Sequence, residues 1–386
     1  MALWCEQAWL AEGWAENVRL TIADGHIGAI EAAAPPQPGD DRHAILIPGL
    51  PNLHSHAFQR GMAGLAERAG EGDDSFWTWR EVMYRFVDRL DPDGMRAIAA
   101  LAYAEMLESG FTRVGEFHYL HHAPDGRPYD DVAAMAQVIA AAADETGIGL
   151  TLLPVFYAHS GFGGAAPTAA QRRFVNDLDS YAALIEASRA AVAGLDDAIV
   201  GVAPHSLRAA TAAELTAVAA MAAGAPVHIH IAEQMAEVEA CQAWSGARPV
   251  EWLMGNADVG ADWSLVHATH VTEAEWGAVA QSGAVVGLCP ITEANLGDGL
   301  FPAREFLAGG GRFGVGSDSN VEIDAAAELR LLEYGQRLAH RGRNLLAGGA
   351  GRSTGAALHQ AARAGGGQAL GQAGHGIATG AAADLV

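Results

Sequence analysis

Basic residues are scarce in this chain: lysine and arginine total 23 against 46 aspartates and glutamates, a formal charge of −23 at pH 7. Such a field repels polyanions, so nucleic acid and anionic membrane surfaces are disfavoured as partners, and an anionic substrate must be met by arginines placed locally. Cysteine is scarcer still. Cys5, Cys241 and Cys289 are odd in number and widely spaced, which excludes a disulfide framework or a zinc-finger pattern and fits a reducing cytoplasm. The opening stretch MALWCEQAWLAEGWAENV lacks a basic n-region and a continuous apolar h-region. No later run reaches membrane-spanning length without polar interruption, so neither secretion nor insertion is supported.

What is present suits a large folded core. Apolar residues make up 50 % of the 386 positions and charged residues 18 %, and α/β barrels spend about 250 residues on one domain. One large domain plus a small one is expected. Residues 1–47 alternate apolar and polar positions around Asp24-Gly25, a hairpin signal, and close with Ala34-Pro-Pro-Gln-Pro38. They read as a small β-layer, to which 374–386 returns. That return stops as it begins, and the small domain is expected to be truncated.

From 48 to 373, short apolar runs alternate with alanine-rich, helix-prone stretches. Leu150–Phe156, Ala198–Ala203, Pro226–Ile231, Ser264–His267, Ala284–Leu288 and Phe313–Gly316 are examples. Strand-then-helix order repeated about eight times implies a parallel sheet closed as a (β/α)8 TIM-type barrel, in which strand ends share one catalytic face. The 47 glycines are spread along the chain and carry no functional message.

Polar residues at those strand ends are therefore the candidates. In Pro48-Gly-Leu-Pro-Asn-Leu-His-Ser-His56, residues i and i+2 of a strand face the same way, so His54 and His56 can reach one metal ion. His230 ends Val227-His-Ile-His-Ile231, His267 ends Leu265-Val-His, and Asp318 follows Gly314-Val-Gly-Ser. Histidine and carboxylate ligands with a position left for water are what zinc uses in hydrolysis, and Asp318 can take that water's proton. A lone strand histidine is more often a packed core residue, and Asp318 alone could be a helix N-cap; five such residues on one rim favour the metal. His228, on the face of His230 by alternation, reads as a supporting or spare histidine. Glu233, three residues after His230, is placed to shuttle a proton to a leaving nitrogen.

The ordered set His54-Ser-His56, His230 with Glu233, His267 and Asp318 resembles the amidohydrolase superfamily in its mononuclear deaminase branch, over nearly the whole chain. The runs Asn52–Gly64, Phe76–Arg80, Gly115–Tyr119, Ala203–Arg208 and Cys289–Gly297 resemble more narrowly the formimidoylglutamate deiminase family. This resemblance implies hydrolysis of N-formimidoyl-L-glutamate to N-formyl-L-glutamate and ammonia, in histidine breakdown, by a homodimer. It also implies a metal held by His54, His56, His230 and Asp318. Zinc is expected, with Fe2+ or Mn2+ compatible with the same donors.

A dicarboxylate substrate needs guanidinium or hydroxyl anchors, which Arg80, Arg208, Tyr119 and Gln59 supply; His205 is a further contact. Trp77 and Trp79 read as packing residues. In the implied reaction Asp318 helps deprotonate water, His267 orients the resulting nucleophile and Glu233 protonates the departing nitrogen. Two rivals stay open. A guanine, cytosine or aminotriazine ring deaminase would want aromatic stacking rather than paired arginines, and a metal-containing binding protein would leave the acid and base idle.

Overall fold

A computed structural model describes residues 1–70, 72–372 and 376–386. The chain divides into two compact units, Met1–Leu50 with Ala373–Val386, and Pro51–Gln372.

The smaller unit is a four-stranded sheet in the order β3-β2-β1-β4, from β1 (Ala2–Leu10), β2 (Gly13–Ala23), β3 (His26–Glu31) and β4 (Asp41–Leu46). Asp24 and Gly25 both take positive φ, 49° and 73°, as a tight hairpin between right-twisting strands requires. β4 returns parallel to β1. Alternation puts Leu3, Cys5, Val18 and Leu20 on the buried side, where Ile27, Leu46 and Ile377 join them. The C-terminal segment meets this sheet through single bridges, Leu10 to Ile377, His26 to Ala382 and Pro48 to Leu385, rather than as a full strand. Gly374 and His375, expected to open that segment, lie outside the described residues.

The larger unit carries a parallel sheet of β5 (Leu50–Ser55), β6 (Phe111–His118), β7 (Gly149–Phe156), β8 (Ile199–Val200), β9 (Ala203–Pro204), β10 (Val227–Ile231), β11 (Trp263–His267), β12 (Val285–Leu288) and β13 (Arg312–Val315). The short β8 and β9 both pair with β7 and share one stave. Bridges from Val202 to Val227 and from Ser206 to His230 join that stave to β10, so the sheet curls round on itself as a TIM-type barrel. Helices cover its outside, several started by side-chain caps such as Asp177, Thr211 and Thr272.

Helix Thr354–Ala369 floors the barrel. Ala369 and Leu370 pack with Leu53 and Val285, and a Cβ on Gly365 would stand 1.9 Å from the Phe313 carbonyl oxygen, so only glycine lets this helix come so close. Thr151 Oγ1 donates to the Leu370 carbonyl at 2.9 Å. His228 belongs here as well: its Nε2 donates to the Ala369 carbonyl at 2.7 Å. Of the two readings of His228, the supporting one beside His230 is set aside and the spare one stands. Two residues along an inward-facing strand are one layer down the barrel, and the lower layer meets the floor instead of the rim.

Among the described residues no helix is long and apolar enough to cross a membrane, and all three cysteines are free and buried.

Candidate metal centre

His54 lies near the end of β5 and His56 one residue beyond it, and their Nε2 atoms are 3.2 Å apart. His230 Nε2 is 3.1 Å from His54 Nε2. Asp318 Oδ1 stands 3.5 Å from His54 Nε2 and 3.3 Å from His56 Nε2. One ligand atom from each of the four lies within 4.8 Å of every other.

The protons on these rings can be deduced. His56 Nδ1 lies 3.0 Å from the Phe117 carbonyl oxygen and His230 Nδ1 lies 3.1 Å from that of His205. A carbonyl only accepts, so both Nδ1 atoms carry hydrogen and, in a neutral ring, both Nε2 atoms present lone pairs. Burial lowers the pKa of all three imidazoles, that of His54 to about 3, which keeps them neutral. Burial works to raise the Asp318 carboxyl, but contacts with His54, His267 and His56 hold it well below the usual carboxylate range. The lone pairs of His56 and His230 and a carboxylate thus converge on one buried point beside His54, an arrangement that a divalent cation satisfies.

The Asp318 backbone is left-handed, φ 45°, as is that of His267, φ 68°. For residues with a Cβ this conformation is strained and must be held by its surroundings. A buried amide and hydroxyl network does the holding for Asp318. Asn52 bonds Ser317 twice, through Nδ2 to Oγ at 2.6 Å and through Oδ1 from the backbone N–H at 3.0 Å. Asn320 Nδ2 donates to Ser55 Oγ at 3.1 Å and to the His56 carbonyl at 3.0 Å. Asp318 is not a helix cap; the helix Ala325–His340 is capped by Asp324.

His267 faces the same point, with Nε2 3.8 Å from Glu233 Oε1 and 3.8 Å from Asp318 Oδ2. Burial opposes charge on this ring, yet Glu233, Glu293 and Asp318 push its pKa up to about 10. Burial, with Asp318 and Glu237 nearby, pushes the Glu233 carboxyl up to about 7 against the pull of His267 and Arg208. A carboxyl poised there can give or take a proton near neutrality.

The cavity above this cluster is lined by Gln59, Arg80, Tyr119, His205, Arg208 and Glu233, so every residue singled out as anchor or acid reaches one space. His54 lies beneath it, fully buried. Gln59 Nε2 donates to Tyr119 Oη at 2.9 Å. All 23 basic residues of the chain are arginine, and two of them point here. Arg80, on helix Phe76–Val87, sits with its guanidinium carbon 4.5 Å from the Trp77 ring centre. Among the described residues neither Arg80 nor Arg208 has a carboxylate partner within salt-bridge distance. Trp77 and Trp79 both pack their rings against Phe76, with centres 5.2 and 5.9 Å apart; Trp77, 37 % exposed, also carries the Arg80 guanidinium, and Trp79 lines the cavity as well.

No pattern in the sequence marks Glu293, which backs His267, or Asn52, Ser317 and Asn320 for a role. All but Asn320 fall inside runs singled out for other residues, and a polar side chain in a strand or first helical turn was the only available signal.

Residues 45–386 match the model of the family described as "Amidohydrolase family", and residues 1–44 match "Formimidoylglutamate deiminase HutF, N-terminal domain". The formimidoylglutamate deiminase of Pseudomonas aeruginosa is 53 % identical over 389 aligned residues, covering 100 % of this chain and 85 % of that protein. A crystal structure of an amidohydrolase from Brucella melitensis is 57 % identical with a TM-score of 0.97, covering 100 % of this chain and 86 % of the other. An adenosine deaminase from Xanthomonas campestris with bound zinc is 25 % identical with a TM-score of 0.82, covering 100 % and 83 %.

Proposed function

The chain belongs to the amidohydrolase family, as a hydrolase of C–N bonds, and from that premise we propose that it converts N-formimidoyl-L-glutamate and water to N-formyl-L-glutamate and ammonia, in histidine breakdown. One observation carries the substrate: two arginines with no carboxylate partner among the described residues, Arg80 and Arg208, open into the cavity that also holds Glu233 and the histidine–Asp318 cluster. Guanidinium groups left without carboxylates await anions, and this substrate brings two. A ring deaminase would leave that charge unmet.

We assign His54, His56, His230 and Asp318 as ligands of one zinc ion, Fe2+ and Mn2+ suiting the same donors. When bound, the ion supplies Lewis-acid chemistry, lowering the pKa of water from about 15.7 toward about 7. The protein's own groups do the rest. Arg80, Arg208, Tyr119 and Gln59 hold the substrate's carboxylates and His205 adds a contact, leaving the formimidoyl carbon over the histidines. Asp318 accepts a proton from the attacking water, and the His267 imidazole donates a hydrogen bond that orients the oxygen. The formimidoyl group reacts as its amidinium, whose terminal nitrogen already carries two hydrogens. Oxygen bonds to the formimidoyl carbon as the C=N π pair moves onto that nitrogen, and Glu233 delivers the third hydrogen. The C–N bond then breaks, the proton left on the added oxygen returns to the Glu233 carboxylate as the formyl C=O forms, and the proton held by Asp318 leaves with the ammonia as ammonium.

The same reading places the enzyme in the cytoplasm, in keeping with its free buried cysteines, and makes it a homodimer, for which exposed Leu300, Tyr334 and Leu338 offer an apolar surface. Metal analysis of the purified protein together with an ammonia-release assay on formimidoylglutamate tests the function. Metal-loaded protein that releases no ammonia from this substrate ends it.

A further inference from the structure

Tyr157 stands in the wall of the cavity beside Arg80, Arg208 and Tyr84, and a chain of hydrogen bonds behind it decides where its proton points. The backbone N–H of Thr168 donates to Gln171 Oε1 at 2.7 Å, and the Thr168 hydroxyl lies 3.1 Å from the same oxygen. A backbone N–H cannot accept, so the carbonyl end of the Gln171 amide is committed to Thr168 and its NH2 is turned the other way. That NH2 donates to Tyr157 Oη at 2.7 Å. The phenol oxygen is therefore already an acceptor, and its own hydrogen must be spent elsewhere.

Among the described residues it finds no acceptor. Tyr157 is only 8 % exposed, so a donor without a partner there is costly unless a ligand takes it. The residue cannot turn away to solve this. Its backbone N–H donates to Asn176 Oδ1 at 3.1 Å and its carbonyl accepts from the Asn176 N–H at 3.0 Å. Its ring lies against His205, with centres 4.7 Å apart. Burial pushes the phenol up to about 12, so it remains a neutral donor at working pH. A neutral hydroxyl beside two cationic guanidiniums, with its hydrogen free and its oxygen occupied, is built for an anion.

We propose that Tyr157 is a specificity-determining residue that donates its phenol hydrogen to a substrate carboxylate held by Arg80 and Arg208, and that Gln171 is the positioning residue that aims it. This rests on the dicarboxylate reading above and adds residues to it.

The test uses the metal-loaded enzyme and three small molecules: formimidoylglutamate as substrate, glutarate as a competitive dicarboxylate that cannot react, and formamidine, which has no carboxylate. Tyr157→Phe is expected to raise the KM for formimidoylglutamate and the Ki for glutarate together, by about tenfold, with kcat within about threefold. Turnover of formamidine should be unchanged. Gln171→Glu keeps the acceptor for Thr168 but replaces the NH2 by a second acceptor, which draws the phenol hydrogen backward; it should reproduce the Tyr157→Phe phenotype with the hydroxyl still present. Unchanged KM and Ki in both variants overturn the inference, as does an equal loss on formamidine, which would place Tyr157 at the reaction centre or in the fold. If the parent enzyme fails on formimidoylglutamate while Tyr157→Phe still weakens glutarate, the carboxylate contact stands and only the assigned reaction falls.

Discussion

His267 Nδ1 and Glu293 Oε1 stand 3.3 Å apart, both residues almost wholly buried. The same oxygen accepts the Cys289 backbone N–H at 2.9 Å, so the carboxylate is held in place before it meets the imidazole. Pairing Nδ1 with a carboxylate makes that nitrogen the proton carrier there and turns Nε2 toward Glu233 and Asp318. Glu293 therefore sets the orientation of a ring that the proposed chemistry uses, without reaching the substrate.

Replacing Glu293 should cost turnover and leave binding alone. Glu293→Ala is expected to lower kcat by about 10- to 100-fold at unchanged metal content, since loss of a partner to an imidazole at a metal site has that size of effect. Steady-state kinetics paired with metal analysis check this, and a wild-type kcat would show that packing alone orients His267.

The buried carboxyl of Glu233, raised to about 7, is assigned the proton to the leaving nitrogen. Glu233→Gln keeps the shape and removes the proton transfer, so kcat should fall by about 10²-fold or more with metal retained. Near-normal ammonia release by that variant would remove the assignment.

Arg208 has no carboxylate partner among the described residues and lines the cavity. Arg208→Met should raise KM for the dicarboxylate substrate and spare both metal content and kcat, the signature of lost uniform binding. An unchanged KM would mean that the carboxylates bind elsewhere.

Removing the metal should do more than stop the reaction. Three imidazoles and a carboxylate gathered within 4.8 Å stabilise the fold only when a cation joins them, so chelation should lower Tm, and zinc should restore Tm and activity together. A Tm indifferent to chelator and to added zinc, measured by calorimetry, would count against a metal at this cluster.

Acid sensitivity is expected from a second histidine pair, away from the metal ligands. His118 has neither ring nitrogen hydrogen-bonded, and burial alone lowers its pKa to about 3; His121 is lowered as well, by burial and by His118. The unfolded chain binds protons at these rings below about 6.5 and the folded one does not. Their stabilisation is thus complete above that pH and declines as pH falls below it; for His118 the loss is about 2 kcal/mol between pH 6.5 and 5. His118→Leu should flatten the fall in stability between pH 7 and 5 in chemical denaturation, and an identical slope in both proteins would refute the idea.

How much of this was legible beforehand follows from what kind of information each feature needs. Strand-and-helix alternation is local, and it led to the barrel because parallel strands have few other ways to bury both faces. The meeting of His54, His56, His230 and Asp318 was equally readable, since each ends an apolar run and a barrel brings such ends to one rim. His228 could be read only as supporting or spare, because alternation names the side of the strand a residue faces and says nothing of its height along the barrel.

The amino-acid sequence by itself determined the architecture and the chemistry on offer: period-two strands ending in histidine and aspartate, a carboxylate just beyond one of them, and arginine as the sole strong cation. Only the tertiary structure decided which hydrogen points where. The lone pairs of His56 and His230 are set by carbonyls of Phe117 and His205, the backbone around Asp318 by Asn52 across 265 positions, and the Tyr157 phenol by an amide whose other end is tied to Thr168. Proton position depends on the partner's atom and its angle, and those exist only once distant segments are packed against each other.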